Sequence, residues 1–85
     1  MTVLADEVRE SLALPVPAAR KRIRQAAGVS QLRLAAELGV SRQAVYRYEK
    51  GDRTPRGNRR LAYARLLADL DRAVRTAQGS GRRLS

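Results

Sequence analysis

Prolines and glycines divide the 85-residue chain into short segments, and this division limits the folds open to it. Pro15 and Pro17 predict the end of a first helical stretch, because proline lacks a backbone donor and disfavours helical geometry in the residue before it. Gly28, Gly39 and Gly51 each follow a helical stretch, and a glycine commonly ends a helix there. Because no segment alternates apolar and polar residues as strands do, the sequence predicts an all-α fold of about five helices.

Apolar residues recur at helical spacing in each of these segments. Ser30 and Ser41 stand directly before two of them and are predicted N-caps. The predicted helices cover residues 3–13, 17–27, 31–38, 42–50 and 58–77. Residues 79–85 open with Gly-Ser-Gly and are predicted to form a flexible tail. The expected organisation is an N-terminal helix within residues 1–14, a domain over residues 15–78 and that tail.

The composition excludes several kinds of chemistry. The chain has no cysteine and no histidine, which rules out disulfides, thiolate nucleophiles, Ser-His catalysis and Cys/His metal sites. A single domain of 85 residues has little room for a deep active-site cleft. No apolar run approaches the length of a membrane span. We therefore expect a protein without metal or other cofactor that is not an enzyme and has no membrane partner.

The net charge of +10 is concentrated in the middle of the sequence. Residues 20–65 hold thirteen basic side chains against Glu37, Glu49 and Asp52, whereas residues 1–14 are net acidic. This distribution favours one cationic face over a uniformly basic surface, and a polyanion as the partner.

Residues 31–50 meet the steric requirements of a DNA-binding helix-turn-helix. Two short helices flank a turn at Gly39, which can adopt a positive φ, and Ala35 is small where the helices cross. In the second helix, Val45 and Tyr48 are predicted to face inward. Its opposite face, spanning about 140°, carries bidentate donors and no acid, which suits base edges in the major groove: Arg42, Gln43, Tyr46, Arg47 and Lys50.

Several spaced features together resemble the Cro/CI-type helix-turn-helix family, also called the XRE family. They are Arg24 four residues before Gly28, Ser30-Gln31, Leu34-Ala35, Gly39-Val40-Ser41 and the run from Tyr48 to Pro55. The resemblance implies a five-helix, lambda-repressor-like domain, here with an additional N-terminal helix and a long C-terminal helix. It also implies an ion pair between Arg24 and Glu49 and a core position for Tyr48.

The resemblance assigns roles to individual side chains. Arg42, Gln43 and Arg47 match base-reading positions of the family, and Tyr46 matches a position that contacts bases or backbone less regularly. Gln31 matches a residue that binds a phosphate and braces the second helix. The other expected phosphate contacts are Ser41, Lys50, Arg53 and Arg56. Arg59 and Arg60 also lie after the second helix, where the family approaches the DNA backbone, and are further candidates for phosphate contacts. Four more basic residues, each more often simply solvated, would extend this footprint: Arg20, Lys21, Arg22 and Arg33.

The function expected from these features is sequence-specific regulation of transcription, by a cytoplasmic repressor of bacterial or phage origin. It would bind a pseudo-palindromic double-stranded DNA operator as a homodimer, through the N-terminal helix, the C-terminal helix or both. An antitoxin that binds a toxin and regulates its own operon is an alternative, as is a restriction–modification controller protein. An RNA-binding or membrane-surface module would not prefer one duplex sequence.

Overall fold

The computed structural model describes residues 13–84, with side chains over residues 13–78. Four helices lie in this part of the chain: α1 (Pro17–Ala26), α2 (Gln31–Leu38), α3 (Arg42–Lys50) and α4 (Gly57–Leu84). No strand occurs in these residues, so the all-α class is confirmed. Apart from its last residue, the predicted helix over residues 3–13 lies outside the described residues, and the predicted count of five helices is not confirmed. None of the four helices is long and apolar enough to cross a membrane.

The turn between α2 and α3 follows from local side-chain and backbone preferences. Ser30 Oγ accepts a hydrogen bond from Arg33 N at 3.0 Å, and Ser41 Oγ accepts one from Ala44 N at 3.1 Å. Both serines are therefore N-caps, as predicted. Gly39 ends α2 with φ of 69°, in the left-handed region that glycine enters without a steric penalty. The bounds of α2 and α3 match the predicted ones.

The last helix is longer than the sequence predicted. It begins at Gly57, one residue early, and continues to Leu84, whereas the prediction ended it near residue 77 with a flexible tail over residues 79–85. Gly79 and Gly81 lower the stability of the helix by about 1 kcal/mol each relative to alanine, but glycine keeps its backbone N–H and does not interrupt the hydrogen bonds. A Gly-Ser-Gly run is therefore a weak helix terminator, and in this protein α4 continues through it.

The core lies where α4 crosses the three shorter helices. Buried apolar residues from three helices form one cluster: Leu34, Ala35, Val45, Tyr48, Tyr63 and Leu67. The rings of Tyr48 and Tyr63 are in contact and tilted by 39°, with centroids 5.5 Å apart. The inward positions predicted for Val45 and Tyr48 are thus confirmed. This core fixes α3 with one face inward and the other free.

Beyond the core, the second half of α4 and the end of α1 enclose an apolar groove of about 440 Å³. We call it the α1–α4 groove. Leu70 and Val74 are half-buried there, while Ala73 and Ala77 are exposed. Its walls consist of Ala26, Ala27, Leu70, Ala73, Val74, Ala77 and Gln78.

Candidate nucleic-acid interface

The free face of α3 gathers the residues that the sequence assigned to base reading. Arg42, Gln43 and Arg47 are exposed, and Tyr46 exposes 48% of its surface. Val45, on the opposite side of α3, is fully buried in the core. The structure therefore brings all four predicted base-reading side chains together on one surface, which we call the α3 face.

Two of these side chains share a shallow groove of about 110 Å³ with the loop that follows α3. Gln43 and Arg47 line one side, and Ser41 and Arg53 complete it. A predicted phosphate contact thus lies directly beside predicted base contacts. DNA requires this arrangement, because the base edges in its grooves lie next to the phosphates of its backbone.

A larger groove of about 800 Å³ lies between the α2–α3 turn and the loop over residues 51–56. Ser41, Arg53, Arg56 and Arg59 line it, together with a single acid, Asp52. Three guanidiniums and the N-terminal end of α3 make this a favourable place for an anion. It also draws Arg59, which the sequence left as a secondary possibility, into the same group as the predicted phosphate contacts.

Lys50, the third cation of α3 after Arg42 and Arg47, is oriented by an aromatic ring. Lys50 Nζ lies 5.3 Å from the centroid of the Tyr46 ring, one helical turn away. Such a cation–π contact contributes about 0.5–1 kcal/mol at an exposed site. It draws Lys50 toward the α3 face while leaving its charge available to a polyanion.

A buried polar network fixes the inner side of α3. Arg24 Nε donates to Glu49 Oε2 at 2.5 Å and Arg24 Nη2 donates to Glu49 Oε1 at 3.0 Å, a bidentate pair. Arg24 Nη1 also donates to the carbonyl of Val29 at 2.9 Å. The hydrogen bond to Glu49 raises the pKa of Arg24 above its usual value, so the guanidinium stays charged. The ion pair implied by the resemblance is confirmed, and it joins α1 to the end of α3.

Gln31 belongs to the same network. Its Nε2 donates to Glu49 Oε1 at 3.1 Å, which braces α3 from the first residue of α2. The side chain is half-buried, so its other amide atoms remain near the surface. The bracing role is thus observed, and the phosphate contact of Gln31 stays a prediction.

The burial of Arg20 was not predicted from the sequence. Counted among possible extensions of the footprint, Arg20 is instead only 5% exposed. Its Nε donates to the carbonyl of Pro15 at 2.6 Å and its Nη1 donates to the carbonyl of Tyr48 at 3.0 Å. Helical spacing could have shown this, because Arg20 shares one face of α1 with Ile23, Arg24 and Ala27.

The fold and the α3 face agree with a comparison against protein families. A family model described as helix-turn-helix matches residues 21–71, more than half of the chain. The chain belongs to the XRE family of helix-turn-helix proteins. No curated protein and no solved structure matches it.

Membership in the helix-turn-helix family indicates a DNA-binding domain of a transcriptional regulator. Such domains are regulatory and generally not enzymes. In this helix-turn-helix, α2 and α3 are the two helices of the motif. The matched region also includes residues 21–26 of α1 and the first half of α4, which supply Arg24 of the buried network and part of the core behind the motif.

Proposed function

We propose that this protein is a transcriptional repressor that binds a specific double-stranded DNA operator with α3 in the major groove. The single observation that carries the proposal is the α3 face, where Arg42, Gln43 and Arg47 are exposed side by side with no acid among them. The major groove is wide enough to admit one α-helix. The repressor bound to its operator would then exclude RNA polymerase from an overlapping promoter.

Direct base reading is assigned to the α3 face. Arg42 and Arg47 carry planar guanidiniums that suit O6 and N7 of guanine, and the amide of Gln43 suits N6 and N7 of adenine. Tyr46 presents a ring that fits a thymine methyl group or the sugar-phosphate backbone. Each good bidentate contact discriminates against a wrong base by about 1–3 kcal/mol.

Phosphate binding is assigned to the residues around the α3 face, which are Gln31, Ser41, Lys50, Arg53 and Arg56. The shared grooves of Ser41 with Arg53 and Arg56 support this grouping. About six to eight phosphate contacts would give a log–log salt slope of about −5 to −7. Phosphate contacts would thus provide most of the affinity, and the α3 face the choice of sequence.

A homodimer on a two-fold-symmetric operator completes the proposal. Repressors of this architecture place two recognition helices one turn of DNA apart, so that each reads one half-site. The α1–α4 groove supports an association surface, because it is apolar and lies away from the α3 face. The same groove is the observation that favours the second candidate, an antitoxin, in which a toxin would occupy it.

Selection of bound sites from random duplex DNA tests the proposal, followed by a salt titration on the winning site. We expect a two-fold-symmetric site and a slope within the range given above. Failure to enrich any sequence would contradict the repressor assignment. Copurification of a stoichiometric protein from the native host would favour the antitoxin.

A further inference from the structure

We infer that Arg20 is a positioning residue for DNA recognition, which sets the angle of α3 by tying its last turn to the segment before α1. The inference rests on the proposed function, since it concerns how α3 meets the operator. Arg20 is nearly buried, so it cannot itself reach a phosphate or a base. Whatever it contributes to DNA binding must therefore pass through the two carbonyls that it holds.

One of those carbonyls lies at the C-terminal end of the recognition helix. The last four carbonyls of a helix have no partner within it, and Tyr48 O is among them. Arg47 O, its neighbour, is satisfied by the backbone N–H of Asp52 at 3.1 Å, while Tyr48 O accepts from Arg20 Nη1 at 3.0 Å. A guanidinium there also complements the negative end of the helix dipole. Arg20 is therefore a C-terminal cap supplied by another helix.

The second carbonyl lies outside the motif altogether. Pro15 O precedes α1, and its 2.6 Å hydrogen bond to Arg20 Nε fixes the other end of the guanidinium. Donors pointing in two directions from one planar group make the link rigid, which a lysine ammonium on a flexible stem would not reproduce. The link holds the α3 backbone, whereas Arg24 is bonded to α3 only through the Glu49 side chain.

This link acts next to a base-reading residue. Arg47 directly precedes Tyr48, so a shift of the Tyr48 backbone displaces Arg47 at the same time. The N-terminal end of α3 is held separately by the turn from α2, in which Val40 N donates to Ala35 O at 3.0 Å. Loss of the Arg20 link would therefore let α3 pivot about its N-terminal end, and Arg47 would be displaced most among the base-reading residues.

The test compares Arg20→Met and Arg20→Lys with a control, Arg22→Met, which removes one charge from an exposed position of the same helix. Binding to the selected operator and to a random duplex of equal length is measured at several salt concentrations. Circular dichroism identifies a temperature at which each variant is folded. Site selection is then repeated with Arg20→Lys, which keeps the charge and is the variant to use if Arg20→Met does not fold.

We expect Arg20→Met to weaken operator binding about tenfold or more, the loss of one bidentate base contact, with random-duplex binding and the salt slope unchanged. The operator affinity of Arg20→Lys should lie between those of the wild type and Arg20→Met. Its sequence preference should be lost mainly at the base pair read by Arg47. Arg22→Met should leave unchanged the ratio of the affinity for the operator to the affinity for the random duplex, which we call the operator-to-random ratio.

Two results would overturn the inference. A lower unfolding temperature with an unchanged operator-to-random ratio would make Arg20 merely structural. Equal losses on both duplexes, with a salt slope smaller by about one unit, would make it a phosphate contact. Failure of the proposed function is recognised separately, because the wild-type protein itself would then show no preference for any duplex.

Discussion

Glu49 is a buried carboxylate whose two oxygens accept three hydrogen bonds, two from Arg24 and one from Gln31. Removing one partner of a buried pair leaves the other charge uncompensated, which costs about 3–5 kcal/mol. We therefore expect Glu49→Ala to lower the free energy of unfolding by that amount in urea titrations followed by circular dichroism. Glu37→Ala removes an exposed acid and serves as the control. A Glu49→Ala loss no larger than that of the control would show that the pair contributes nothing.

Tyr63 has a fully buried side chain whose hydroxyl has no hydrogen-bond partner among the described residues. A buried hydroxyl left unsatisfied costs about 1–3 kcal/mol. Tyr63→Phe keeps the ring against Tyr48 and removes that hydroxyl, so we expect it to stabilise the protein by about 1 kcal/mol at neutral pH. Urea denaturation at pH 7 measures this directly. A clear loss of stability would instead show that the hydroxyl makes a favourable contact.

The same hydroxyl predicts how stability changes at high pH. Burial, followed by the negative charge of Glu49, raises the pKa of Tyr63 to about 12 from an ordinary value of 10. The phenol therefore ionises more readily in the unfolded state than in the folded state. Below pH 10 this difference does not affect the free energy of unfolding, and as the pH rises from 10 toward 12 it lowers that free energy. The wild type should lose about 2–3 kcal/mol more than Tyr63→Phe over this interval. Equal pH dependence in the two proteins would contradict the shift.

At the level of the helices, two glycines end α2 and α3 with the same backbone conformation but different surroundings. A Cβ at Gly39 would meet nothing within 4 Å, whereas one at Gly51 would lie 3.2 Å from Pro17 Cγ. Gly39→Ala should therefore cost only the left-handed backbone penalty, about 1–2 kcal/mol. Gly51→Ala should cost more, since the Pro17 ring must also shift. Thermal unfolding of both variants tests the order, and a greater loss for Gly39→Ala would contradict it.

The helix-turn-helix itself could be predicted from the sequence because its determinants are local. Ser30 and Ser41 cap the helices directly behind them, and Gly39 enters the conformation that its turn requires. The end of α4 was predicted wrongly, since a Gly-Ser-Gly run lowers helix stability without forbidding the helix. Propensity alone does not decide such a boundary.

The partners of Arg20 could not be predicted by local rules, because they depend on how helices pack. The hydrogen bond from Arg20 to Tyr48 O joins positions 28 residues apart. Composition treats every arginine of a basic protein as a surface charge, and the family resemblance gives a structural role only to Arg24. The α1 spacing puts Arg20 on the inward face, but its partners emerge only once α3 is packed against α1.

On the scale of the whole molecule, the net charge of +10 is not all available to a polyanion. Arg20 and Arg24 are buried and face carbonyls and a carboxylate, so they belong to the fold. The exposed arginines that line the two grooves beside α3 are Arg47, Arg53, Arg56 and Arg59, and Asp52 is the one acid in the larger groove. The salt dependence of DNA binding should therefore report the exposed arginines around α3 and not the total charge.

Arg47 and Arg53 provide a matched test of that division, because both are exposed arginines lining one small groove. Arg47→Ala should relax specificity at one base pair and cost about 1–3 kcal/mol on operator, with little effect on random duplex. Arg53→Ala should weaken binding to operator and random duplex alike and reduce the salt slope by about one unit. Competition binding at several salt concentrations separates the two results, since the charge removed is the same. If both variants kept the wild-type operator-to-random ratio, Arg47 would be a phosphate contact, and base reading would fall to Arg42 and Gln43.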